Sequence, residues 1–130
     1  MVKKILLVLP FFLVVFYGCY RDVSTPPVVW LERGSGAVNE DTTLPQNHVF
    51  NVIVVAAKTG PDGYLKQAYF YKSVNNQPDT VLYEMRFAYT YFKQQYTFVT
   101  GDSGNIERYV FKFLNQSGQS ASDTLTILIK

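Results

Sequence analysis

Cysteine and histidine are almost absent from this chain of 130 residues, which contains one of each, Cys19 and His48. A lone cysteine cannot form an internal disulfide. A zinc site needs three or four ligands, and a serine–histidine–aspartate triad would have to be built around His48 alone. The sequence therefore predicts a protein that is not an enzyme and holds no metal or other cofactor.

Charge is also scarce, because Asp, Glu, Lys and Arg make up 17% of the residues. Two of the 12 basic residues, Lys3 and Lys4, lie at the N-terminus, and without them the basic side chains balance the 10 acidic ones. A balanced chain lacks the basic surface that neutralises phosphates. We therefore expect no nucleic-acid partner, and contact with a membrane must depend on something other than net charge.

The N-terminus, in contrast, is strongly patterned. Lys3 and Lys4 precede an apolar run over residues 5–17, and Gly18 and Cys19 follow it. A basic start, an apolar run of about 7–15 residues and a small residue at the cut are typical of a secretory signal peptide. The small residue followed by cysteine resembles the lipobox of bacterial lipoproteins.

That resemblance implies a signal peptide at residues 1–18 and a lipid on Cys19. The membrane is then a partner of the protein, bound through this lipid. The absence of Asp after Cys19 favours the outer membrane, on its periplasmic face or at the cell surface. Two alternatives remain. One is an ordinary signal peptide with an incidental cysteine. The other is a transmembrane anchor, for which the run falls short of about 20 apolar residues.

The rest of the chain predicts a short tether and one domain. Residues 19–27 include Pro26 and Pro27, which favour an extended spacer. From residue 28 to residue 130 the apolar pattern has the period of two that β-strands show. Polar turns separate seven predicted strands, at residues 28–33, 48–57, 65–73, 80–87, 94–100, 106–114 and 124–130. Residues 39–47 are polar and predict a loop, and a short helix within residues 83–93 is the alternative to strand there.

Seven short strands rich in Val, Ile, Thr, Tyr and Phe predict an all-β fold, an immunoglobulin-like β-sandwich. The domain resembles Ig-like domains of Bacteroidetes lipoproteins, including polycystic-kidney-disease and cadherin types. This resemblance rests on residues 43–45, 50–54, 69–73, 79–81, 96–98, 107–111 and 122–127. It implies a spacer or binding module and carries over no ligand residues. Tyr109 is either the hydrogen-bonded tyrosine typical of such sandwiches or a plain core aromatic.

The ten tyrosines exceed what a sandwich of this size can bury. Tyrosine combines an apolar ring with a polar tip that prefers water or a partner. We therefore predict that Tyr69, Tyr71, Tyr89 and Tyr91 form an exposed ligand-binding surface for a glycan or a protein, provided that they share one sheet face. The alternative is ordinary cross-strand packing.

Three threonines follow an aspartate, as in the acceptor motif of Bacteroidetes O-glycosylation. They are Thr42, Thr80 and Thr124, and each is equally compatible with a turn that ends in Asp and a strand that starts with Thr. Calcium binding between loops remains a minor alternative, because no loop has the expected series of oxygen ligands. The sequence thus predicts a non-enzymatic, lipid-anchored envelope protein. A carbohydrate-binding surface lipoprotein is the alternative.

Overall fold

The computed structural model describes residues 25–61 and 63–130, which form an all-β sandwich without a helix. A three-stranded sheet has the order β1-β3-β6, and a five-stranded sheet has the order β2-β8-β7-β4-β5. β2 runs parallel to β8, and the other pairs are antiparallel. The strands are β1 (Val28–Glu32), β2 (Thr42–Leu44), β3 (Val49–Ala57), β4 (Leu65–Val74), β5 (Thr80–Tyr89), β6 (Tyr91–Val99), β7 (Ile106–Asn115) and β8 (Ser120–Ile129).

Alternation along each strand builds an aromatic core between the sheets. On β7, Phe111 and Phe113 are buried, whereas Arg108 points outward to solvent. Phe70 of β4 lies at the centre, with its ring edge-on to Tyr96 of β6 in the other sheet at 4.9 Å between centroids. Large rings with fixed edge-to-face contacts stabilise the packing of the two sheets beyond the area they bury. The predicted β-sandwich is therefore confirmed.

The structure has one strand more than predicted, because residues 42–44 pair with β8 where a loop was predicted. A strand of three residues is too short to show a periodic pattern, and its pairing partner lies far away in the sequence. β6 begins three residues earlier and β8 four residues earlier than predicted. The early residues of β8 are mostly polar, and those of β6 are Tyr91, Phe92 and Lys93, too few to show an apolar alternation.

The helical alternative for residues 83–93 is wrong. β5 continues to Tyr89, the chain bends at Thr90, and β6 starts at Tyr91 in the other sheet. Met85 and Phe87 pack against the core at the spacing of two that a strand requires. The bend closes one side of the sandwich, because Phe87 on one sheet lies 5.5 Å from Phe92 on the other.

Candidate binding surfaces

The four tyrosines of the predicted ligand surface lie on different faces. Tyr69 and Tyr71 alternate with the fully buried Ala68 and Phe70 of β4, so they lie on the outer face of the five-stranded sheet. Their rings stack on each other at 6.1 Å between centroids and 13° between planes. Both are half-buried. The structure therefore brings this pair together.

Tyr89 and Tyr91 lie elsewhere, on either side of the bend at Thr90. Tyr89 stacks on the partly buried Phe87, at 5.1 Å and 10°, along the core-facing side of β5. Tyr91 lies in register with Ala57, on the outer face of the three-stranded sheet. The bend moves the chain from one sheet to the other, so a surface of all four rings does not form.

The end of the sandwich where the chain enters the described structure is here called the entry end. It comprises residues 25–27, residues 58–61 and 63–66, the bend at Thr90 with its flanking residues 87–91, and the turn at residues 115–119. Thr25 hydrogen-bonds to the hydroxyl of Thr59 at 2.6 Å, and the side-chain amide of Asn115 donates to the Thr25 carbonyl at 3.0 Å. The last residues of the predicted tether are therefore attached to the domain.

Three tyrosine rings are exposed at the entry end. Tyr64 is 41% exposed, Tyr89 52% and Tyr91 53%. The Lys58 ammonium lies 4.2 Å from the centre of the Tyr64 ring, and the Lys58 amide donates to the Thr90 carbonyl at 3.0 Å. A shallow groove of about 410 Å³ opens here, lined by Tyr64, Leu65, Lys66, Phe87, Ala88 and Gln116.

Sequence reasoning did not assign Tyr64 to a site. The available signal was its position directly after a Pro-Asp-Gly turn and directly before a strand, which places a large ring at a sheet end. Its neighbourhood with Tyr89 and Tyr91 depends on the bend at Thr90 and on long-range strand pairing. Neither of those features is visible in the local sequence pattern.

The opposite end, here called the distal end, contains a buried ionic cluster. Glu107, at the start of β7, is 1% exposed and accepts hydrogen bonds from the Gly101 amide at 2.7 Å and from the Tyr109 hydroxyl at 2.5 Å. The Lys72 ammonium lies 3.0 Å from Glu107 Oε2. A Cβ at Gly101 would lie 2.9 Å from Glu107 Oε1, so this close approach favours glycine.

The partners of Glu107 decide its ionisation. Burial by itself raises the pKa of a carboxyl group, but the hydrogen bonds from Tyr109, Gly101 and Lys72 outweigh it and lower the pKa of Glu107. Burial and the bond to Glu107 raise the pKa of Tyr109 far above its ordinary value. Tyr109 is thus a buried aromatic whose hydroxyl bonds a side-chain carboxylate two residues upstream. It is therefore a core aromatic, and its hydroxyl bonds a side chain where the tyrosine corner of Ig-like sandwiches bonds the backbone.

The three candidate glycosylation sites differ in accessibility. Thr42 is half-buried in β2, whereas Thr80 and Thr124 are exposed in β5 and β8. Cys19, the predicted lipidation site, lies outside the described residues, as does the predicted signal peptide.

The aspartates before these threonines have structural contacts. Asp41 accepts a hydrogen bond from the Thr126 amide at 2.8 Å, and Asp123 accepts one from the Leu31 amide at 3.2 Å. Asp123 thereby links the edge strand β1 to β8. Asp41 and Asp123 thus each bond an amide of a neighbouring strand, and Asp79 forms an ion pair with Arg108 at 3.5 Å. These contacts are compatible with either interpretation of the motif.

No group of metal ligands is present in the part of the chain that the structure describes. His48 is exposed just before β3, where its backbone amide donates to Thr100 Oγ1 at 2.8 Å. Within residues 25–61 and 63–130, no three His, Cys, Asp or Glu side chains are grouped so that they would hold a metal ion. Over the same residues, no helix has the length and apolar character needed to cross a membrane.

Comparison with known proteins informs the fold alone. No protein-family model matches the sequence, and no curated protein matches it. The structure is similar to that of Spo0M, a sporulation control protein from Bacillus subtilis, with a TM-score of 0.52 and 11% sequence identity. The similarity covers 84% of this chain and 50% of that chain, so the present chain spans about half the length of Spo0M. At this identity the likeness extends to the β-sandwich and no further.

Proposed function

We propose that this protein is a non-enzymatic, lipid-anchored protein of the bacterial cell envelope, similar to Bacteroidetes lipoproteins with an Ig-like domain. The observation that supports this proposal most is the order of the N-terminal residues: Lys3, Lys4, the apolar run, Gly18 and Cys19. A folded β-sandwich follows within a few residues. Acyl chains on Cys19 would hold the sandwich at the outer membrane as a binding or structural module.

The link between lipid and domain is short in this proposal. Thr25 is already hydrogen-bonded to the sandwich, and it lies six residues after Cys19. Six residues reach at most about 22 Å, however they are arranged. The domain would therefore work close to the bilayer, on partners that are themselves in or near the membrane.

Labelling of cells with an alkyne analogue of palmitate tests this proposal. We expect label on the wild-type protein, no label on Cys19→Ala, and a mature mass that lacks residues 1–18. Tyr20→Ala is the matched control and should keep its label, because it leaves the acceptor thiol intact. A mature protein that is unlabelled, or that still carries its leader, would contradict the proposal.

Carbohydrate binding is a second candidate, supported by the stacked pair of Tyr69 and Tyr71. Two rings side by side on an outer sheet face are a surface on which a sugar stacks, as long as a ring face stays open. Y69A/Y71A should abolish binding of envelope glycans to the full-length protein and leave its melting temperature almost unchanged. Y89A/Y91A is the control, because those rings lie on other faces, and it should retain binding. A collapse of the melting temperature in Y69A/Y71A would show that the pair is structural.

A further inference from the structure

We propose that the entry end of the sandwich lies against the bilayer surface, with Tyr64, Tyr89 and Tyr91 among the lipid headgroups. This inference rests on the proposed attachment of the N-terminus to a membrane. It adds a second contact, made by the folded domain itself, and it assigns a role to three exposed rings.

The chemistry of the three rings suits a membrane interface. Tyrosine places its ring toward the acyl chains and its hydroxyl toward water, and it is enriched at the headgroup level of membrane proteins. Tyr64, Tyr89 and Tyr91 expose between 41% and 53% of their surface, although other aromatic residues such as Phe70 are fully buried. Trp30 on β1 and Tyr83 on β5 are also exposed, at 38% and 41%, so three of the five exposed aromatic rings among the described residues lie at the entry end.

The N-terminal segment joins the sandwich at the entry end, and this position favours the bilayer as the partner of the three rings. Residues 25–27 are fastened beside Thr59 and Asn115, within the same end as the three rings. The apolar run and Cys19 precede them in the chain. Because Cys19 lies no more than about 22 Å from Thr25, a membrane that holds Cys19 also lies within reach of this end.

Charge at the entry end is compatible with lipid phosphates. Lys58 lies over the Tyr64 ring, and Lys66 is exposed beside the groove. Acidic residues such as Asp79, Asp102 and Glu107 belong to the distal end, and no described acidic residue belongs to the entry end as defined above. Asp62 belongs to the entry-end loop by sequence and lies outside the described residues.

Fluorescence quenching by brominated lipids tests the placement. The full-length protein, purified from membranes with its N-terminal modification, is reconstituted into phosphatidylethanolamine–phosphatidylglycerol vesicles whose acyl chains carry bromine. In a Trp30→Phe background, the only tryptophan is placed at Y91W or V99W. These positions are the first and last residues of β6, on the same sheet face, and each wild-type side chain is 53% exposed. They are roughly 26 Å apart along the strand.

We expect Y91W to lose most of its emission to the brominated lipid and V99W to keep its emission. Adding Y64S/Y89S to Y91W should restore most of the emission, because the two other rings hold this end at the interface. Equal emission from Y91W and V99W in vesicle-bound protein would overturn the inference, whether both are quenched or neither is.

Flotation of the same samples separates the two proposals. Protein that floats with the vesicles but shows no quenching of Y91W overturns the interface contact and leaves the lipid anchor intact. Protein that does not float overturns the anchor, and the interface contact falls with it.

Discussion

The two ends of the sandwich differ in what they bury and what they expose. At the distal end a charged side chain, Glu107, is buried and receives a donor from each of Gly101, Tyr109 and Lys72. At the entry end apolar rings are left in water. Tyr64 and Tyr91 are both more than two fifths exposed.

This difference indicates which contacts the stability of the fold depends on. A buried carboxylate is tolerated only when its hydrogen bonds are satisfied, so the distal cluster must be correct for the domain to be stable. Exposed rings contribute little to folding and remain available for contact with something outside the domain. Stability should therefore depend on the polar contacts of the distal end, and attachment should depend on the exposed rings of the entry end.

Among the changes at polar side chains, the largest effect is expected from Glu107→Ala. It removes the acceptor of the Gly101 amide and the Tyr109 hydroxyl and leaves the Lys72 ammonium without its partner. We expect the free energy of unfolding in urea to fall by about 3 kcal/mol. Glu107→Gln keeps the shape and one acceptor, and it should lose clearly less. An alanine variant as stable as the wild type would remove the distinction between the two ends.

Acid should weaken the distal end next. The pKa of Glu107 is lowered from its ordinary value of 4.5, so the folded state favours the ionised carboxylate. Its contribution is complete above pH 4.5 and is lost as the pH falls through the lower pKa of the folded protein. Urea midpoints measured between about pH 6 and pH 3 should therefore fall less steeply in Glu107→Gln than in the wild type. Parallel curves for the two proteins would contradict the lowered pKa.

Removal of a single hydroxyl should give a smaller loss. In Tyr109→Phe the carboxylate loses one donor, and we expect about 1 kcal/mol of destabilisation. Tyr96→Phe is the matched control, since the Tyr96 hydroxyl is also near the core but, within the described residues, donates its hydrogen bond to the sulfur of Met85, a weak acceptor at 3.5 Å. Equal losses in the two variants would mean that the bond to Glu107 adds no stability of its own.

The alternating strands could be predicted from sequence because one buried face per strand imposes a period of two. The residues of β7 show this directly, with Phe111 and Phe113 inward and Arg108 outward. β2 was missed because three residues have no measurable period, and its partner β8 lies more than 80 positions away. Edge pairing of this kind depends on where the rest of the fold leaves an unpaired strand.

The grouping of side chains was less predictable than the strands. Tyr69 and Tyr71 could be paired from their spacing, because residues two apart share a strand face. Tyr89 and Tyr91 have the same spacing, but the bend at Thr90 separates them into two sheets. Nothing in the sequence indicated that the Glu107 carboxylate is buried. Its donors are Gly101, Tyr109 and Lys72, and Lys72 lies 35 positions before it in the chain.

The smallest effect on folding is expected at the entry end. Tyr91→Ser should change the free energy of unfolding by less than about 0.5 kcal/mol, because the ring is already half in water. The adjacent Phe92→Ala is its matched control. Phe92 is 7% exposed and lies 5.2 Å from Phe113, so its truncation should cost about 3–5 kcal/mol. Urea unfolding of the full-length variants would measure both changes. A large loss in Tyr91→Ser would show that the domain needs this ring for its own stability, and the contrast between a structural end and a contact end would disappear.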